Sequence, residues 1–139
     1  MIRMILFATA LVATPALAAS PIEGRWTNPA RSVTVRIAPC GNSLCGRVVS
    51  ATPAARAKAA AAGTPRLVGT ELMSRLTPIG QGAWQGEFFV PDRNIRAGGE
   101  LHLIGPRTIE IEGCAVPGIL CKSQRWTKVA AAPPARRRR

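Results

Sequence analysis

The chain has 139 residues, with 19 Lys or Arg against 7 Asp or Glu for a formal net charge of +12, four cysteines, one histidine and no tyrosine. That length suits one domain, and a single histidine leaves little for a hydrolytic triad or a His-supported zinc site. The basic excess suits anionic partners, namely lipid headgroups, lipopolysaccharide, acidic polysaccharide or nucleic acid, but it selects none of them, because arginine beside abundant Ala, Pro and Gly also fits a GC-rich coding bias.

In chain order, residues 1–18 read as a cleavable signal peptide. Arg3 supplies the positive start, Ile5 to Val12 the apolar stretch, and Ala16-Leu17-Ala18 the small-x-small cleavage pattern. The apolar run is too short to span a bilayer and stops at Thr14-Pro15. The mature chain is therefore expected to start near Ala19, in the periplasm. Residues 19–129 form the expected folded domain, and residues 130–139 an Ala/Pro/Arg tail that cannot fold by itself. Arg3 and the four tail arginines removed, fourteen basic residues remain against seven acidic ones.

Prolines at 29, 39, 53, 65, 78, 91, 106 and 117 punctuate the domain, most beside Gly, Asn or Asp. Proline cannot donate to a sheet ladder, so this spacing predicts many short antiparallel strands. Gly24 to Thr27 is a short opening strand. Val33, Val35 and Ile37 alternate with Thr34 and Arg36, the period-two pattern of a half-buried strand. Leu44 to Val49 follows. Ala54 to Ala62 breaks the rhythm as a short exposed helix or loop that ends at Gly63, without a large apolar residue to hold it to a core. Leu67 to Leu76 fits a helical turn or a strand. Trp84 to Val90 is the next strand. Leu101 and Leu103 then bracket His102, and Gly105-Pro106 joins them to an alternating Ile109 and Ile111 as a hairpin. Leu120 to Trp126 closes the set. Six to eight strands in this length predict an all-β fold: a small antiparallel up-and-down β-barrel with one Ala-rich helix or loop insertion, a sandwich being the main rival.

The four cysteines of an exported chain read as two disulfides. Chain entropy favours long-range bridges, about 4 kcal/mol against about 2 for a small loop. Proximity and turn chemistry favour Cys40–Cys45 and Cys114–Cys121, which is the expected pairing. Gaps of four and six residues do not suit zinc, so neither metal nor cofactor is expected.

Several motifs together resemble the bacterial domain-of-unknown-function 2147 family: Gly24-Arg25-Trp26, Val35-Arg36-Ile37, Cys40-Gly41-Asn42-Ser43-Leu44-Cys45-Gly46, Trp84-Gln85-Gly86, Gly113-Cys114 and Cys121-Lys122-Ser123-Gln124-Arg125-Trp126. They span the domain in the family's order. The resemblance implies an exported, lipocalin-like architecture with no assigned activity. The chain departs from the family in its Ala-rich stretch and in Phe89-Val90-Pro91-Asp92-Arg93-Asn94, where family members carry a Tyr-Asp-Pro type of turn. Gly24-Arg25-Trp26 also resembles the Gly-x-Trp opening of lipocalins, whose indole plugs one barrel end beneath an arginine of the last strand. That likeness implies Trp26 as a structural plug, with Arg125 stacked on it.

Three aromatics are candidate ligand-binding residues. At strand spacing Trp84 and Phe88 share one face, while Phe89 takes the other and is expected at a rim. His102 faces away from Leu101 and Leu103, and Glu110 and Glu112 share a face about 7 Å apart. Both arrangements suit a solvated surface better than catalysis, and no phosphate-binding loop is present, so an enzyme is not expected. Arg136, Arg137, Arg138 and Arg139 are candidate contacts to an anionic surface. The expected function is a non-enzymatic module for a small apolar or amphipathic molecule. Its alternative is an envelope interaction or stress-resistance protein with a filled barrel and a basic surface on anionic lipid or polysaccharide; nucleic acid is not expected.

Overall fold

The computed structural model describes residues 19–116 and 120–130. The expected signal peptide, the tip of the last hairpin at Pro117-Gly118 and the arginines of the tail lie outside those residues. Eight strands and one helix follow in chain order: β1 (Gly24–Thr27), β2 (Val33–Cys40), β3 (Ser43–Ala51), α1 (Pro53–Ala61), β4 (Glu71–Gly80), β5 (Ala83–Val90), β6 (Ile95–Gly105), β7 (Thr108–Val116) and β8 (Leu120–Val129). Each strand pairs antiparallel with the next, and β1 pairs with β8, giving a closed up-and-down barrel. Closure leaves no free sheet edge. An eight-stranded barrel is just wide enough for side chains to fill it or to hold one small ligand.

The period-two pattern drives this closure. Val35, Ile37, Leu101 and Ile109 turn inward and are essentially fully buried, as is Trp26, the largest of the fully buried side chains. Val33, Leu44, Leu103 and Ile111 pack against them in part. Burying a large aliphatic side chain contributes about 1.5–3 kcal/mol, so the closed interior is the main stabilising feature of the sheet.

The strand order sorts the connections. The β2–β3, β4–β5 and β6–β7 turns lie at one end, beside the segment that precedes β1 and the end of β8. The β1–β2 and β5–β6 turns and the long β3–β4 connection lie at the other. The two disulfides, Cys40–Cys45 and Cys114–Cys121, take the local pairing and staple opposite ends of the barrel.

In the β3–β4 connection one expectation is refined and one open alternative is settled. The Ala-rich helix is tied to the core, because Ala59 is buried and joins the main apolar cluster. Thr52 caps its N-terminus, its hydroxyl accepting from the Ala55 N–H at 3.2 Å, and Pro53 occupies the first turn. Leu67 to Leu76 resolves into a turn followed by β4. Its helix-like spacing comes from a bulge: the pairing of β4 with β5 shifts between Ser74 and Thr77, and Arg75 takes a positive φ of 51°. The extra residue puts Met73 and Leu76 on the same inward face although they are three apart.

Candidate functional site

Trp26 seals one barrel end. Its indole N–H donates to the Ile22 carbonyl at 2.8 Å, and Ile22, in the segment before β1, is itself fully buried. That bond satisfies the one polar atom of the indole and folds the preceding segment under the barrel. The cation over the ring is Lys128, with Nζ 5.6 Å from the ring centroid. The expectation for Arg125 is therefore corrected. Register explains the exchange: Trp26 pairs with Lys128 across the β1–β8 seam, whereas Arg125 pairs with Glu110 and points outward. Arg125 Nε donates to the Glu110 carboxylate at 3.3 Å, with 71% of its side chain exposed. Gly24 makes room for Lys128, since a Cβ at Gly24 would lie 3.1 Å from the Lys128 Cε, and its φ of 134° suits glycine alone.

The three candidate aromatics divide as their strand parity requires, yet all are buried. Trp84 and Phe88 face the interior, 5% and 7% exposed. Phe89 faces outward, as expected, but is corrected from a rim position to a covered one at 9%. Leu72, of opposite parity to the paired Met73 and Phe88, shares that outer face, and Ala59 and Leu67 of the β3–β4 connection belong to the same apolar cluster. The Arg96 guanidinium, 4.4 Å from the Phe89 ring centroid, completes the cover. Phe89 thus belongs with the β3–β4 connection, which sequence alone could not reveal because its cover comes from residues distant in sequence.

The opposite end of the barrel differs from the sealed one. Val90 and Ile95 pair across the β5–β6 turn with the same inward parity as Phe88 and Ala97, yet are 40% and 39% exposed. Beside them the inward positions shrink to Ala97, Gly99 and Gly113, and on β8 they become Lys122 and Gln124, both exposed. Gln124 accepts from the Trp126 indole N–H at 3.2 Å. Among the described residues, the inward positions at this end therefore combine apolar side chains, small residues and one cation.

The remaining candidates are wet or occupied. His102 Nε2 lies 2.8 Å from the Glu100 carboxylate on the outer face, and Glu110 and Glu112 share that face. The Glu112 carboxylate lies within 4.8 Å of the Cys114 and Cys121 sulfurs. Those sulfurs are bonded to each other, which removes the thiolates that a metal would require. Two surface hollows, one between α1 and the β5–β6 turn and one over Gly86 and Gly98, both open on the outside of the barrel.

This architecture is that of a lipocalin-like barrel. A solved structure, protein HP1028 from Helicobacter pylori, described as belonging to the lipocalin family, superposes with a TM-score of 0.61 at 12% identity, over 78% of this chain and 83% of that one. At that identity the likeness shows the fold. A family model described as an uncharacterized protein conserved in bacteria, DUF2147, matches residues 24–128, and the chain belongs to that family. Among curated proteins nothing matches.

Proposed function

We propose that the protein is an exported, non-enzymatic binding module of the periplasm that holds a small amphipathic molecule at the open end of its barrel. The observation that carries this reading is the asymmetry of the two ends. Trp26 and Lys128 seal one, while at the other Val90 and Ile95 face inward and stay about 40% exposed. An apolar rim with one convergent polar group is the usual composition of a small-molecule site. Phe88, Val90 and Ile95 offer an apolar bed, and Lys122 offers a cation for an acidic head group. The bulky side chains below them limit the depth of such a site, so the molecule sits at the mouth rather than deep in the lumen.

A medium-chain fatty acid carrying a dansyl group tests this. The mature protein is expected to bind the probe with enhanced, blue-shifted fluorescence. Ile95→Glu is expected to abolish binding, and Lys122→Met to weaken the acid at least about tenfold while sparing the matching alcohol. Native mass spectrometry of protein taken from its own periplasm is expected to show a co-purifying small molecule. Failure of both the probe and the co-purified mass would overturn the reading.

A further inference from the structure

The acidic and basic residues of the barrel are unevenly placed, and the acidic ones are largely paired. Four of the seven acidic residues, Glu87, Glu100, Glu110 and Glu112, share the outer face of β5, β6 and β7. On the outer face of β1, β2 and β3, Arg25 pairs with Arg36 and Arg36 pairs with Arg47, so three arginines stand side by side in one cross-strand row. Strands lie about 4.8 Å apart, which makes the row about 10 Å long. In a closed ring of eight, β2 and β6 are four strands apart in either direction, so the arginine row and the acidic face look in opposite directions.

Like charges directly opposite one another destabilise a sheet, and the protein does little to neutralise these. Arg47 reaches Glu71 at 3.3 Å. Among the described residues Arg25 and Arg36 have no carboxylate in reach, and the buried Nε of Arg25 has no hydrogen-bond partner. In the next row of the same face, Thr34 pairs with Ser50, which adds hydroxyl donors, while the Thr27 hydroxyl is buried and donates to the Val33 carbonyl at 3.2 Å. No aromatic residue stands on β1–β3 facing outward. Nucleic-acid and sugar surfaces call on such aromatics for stacking, whereas phosphate groups in a lipid leaflet require cations and small donors only.

We infer that the Arg25–Arg36–Arg47 row is a docking face for a phosphate-bearing lipid leaflet, on which the acidic face of the barrel points away from the membrane. On the far face Glu87 is paired with Arg75 and Arg96, and Glu110 with Arg125, so the attraction comes from the row itself, whose guanidinium forks hold lipid phosphates at contact. This site is separate from the barrel mouth, so either can fail without the other.

Sedimentation of the full mature chain with phosphatidylcholine vesicles, with and without about a third phosphatidylglycerol, tests the assignment. Binding is expected on the anionic vesicles alone and is expected to fall with salt. Arg25→Gln with Arg36→Gln removes two of the three cations and is expected to lower partitioning at least tenfold. The charge-matched pair Arg66→Gln with Arg93→Gln, off the row, is expected to change it less than threefold. Arg36→Lys, which keeps the charge, is expected to restore most of the binding. Should the double Gln variant melt early, Arg36→Glu at an exposed position replaces it, with the same tenfold loss expected. Equal losses from the two double variants, no binding of the native chain to anionic vesicles, or complete displacement by millimolar inorganic phosphate would each overturn the proposal.

Discussion

At the scale of single residues, one lysine and one arginine three positions apart have opposite environments, and register alone decides which matters. Lys128 shares the seam with Trp26, and its aliphatic stem fills the space left by Gly24. Arg125, on the outer face, makes a surface ion pair. Lys128→Ala should therefore cost about 1–2 kcal/mol through lost packing and cation–π contact, while Arg125→Ala should cost less than about 0.5 kcal/mol. Urea unfolding followed by tryptophan fluorescence measures both. Trp26→Ala should be far worse, about 3–5 kcal/mol, because it opens a cavity and strips the Ile22 carbonyl of its partner. The Gly-x-Trp motif made the plug legible in the sequence. The cation above it was not legible, because a one-residue uncertainty in register exchanges the inner and outer faces of a strand.

Among the elements, strands whose alternation is carried by large apolar residues were readable, and those where that signal fades or doubles were not. β1 has the bounds expected from the sequence, and β2, β5 and β7 were placed within a few residues by alternating Val, Ile, Trp and Phe. β6 extends well beyond its expected Leu101–Leu103 centre because Ala97, Gly98 and Gly99 carry no apolar signal. β4 was ambiguous because ordinary alternation puts Leu72 and Met73 on two faces that are both buried, and its bulge then returns Leu76 to the inward face, so hydrophobicity no longer reports which face is the core. Two glycines of neighbouring strands sharpen the point. A Cβ at Gly86 would lie 2.7 Å from the Ser74 carbonyl oxygen and 2.9 Å from Leu76 Cδ2, whereas one at Gly98 would meet nothing within 4 Å. Gly86→Ala should destabilise by about 1–3 kcal/mol, and Gly98→Ala should be neutral or stabilise by up to about 0.5 kcal/mol. Thermal unfolding of the two variants checks this. A Gly98→Ala loss as large as that of Gly86→Ala would contradict the bulge geometry. Replacing either cysteine pair by serines should cost about 2 kcal/mol, since each bridge closes a short loop.

For the whole molecule, closure depends on the shortest strand. β7 pairs with β8 along almost its full length, whereas β1 meets β8 through Arg25, Trp26 and Thr27. The seam therefore has few ladder hydrogen bonds, and much of its stability rests on the burial of Trp26. Opening it exposes β1, the plug and the end of β8, while the long β5–β8 ladders remain paired. Such a partial opening exposes less surface than global unfolding and should have a smaller denaturant dependence. Native-state hydrogen exchange in low urea is expected to show amides of Trp26, Thr27 and Val129 exchanging through this smaller event, at a free energy below the global value. Leu101 and Ile109, both fully buried, are expected to exchange only with global unfolding. A disulfide engineered between positions 27 and 127, which pair across the seam, should move the first group toward the second. Identical urea dependence for both groups would mean that the barrel opens all at once and that the short seam is no weaker than the rest. The mouth proposed to take the ligand lies at the far end from the Trp26 plug, so capture there would not require the seam to part. The cross-linked protein should therefore bind the dansyl fatty acid as tightly as the native chain does.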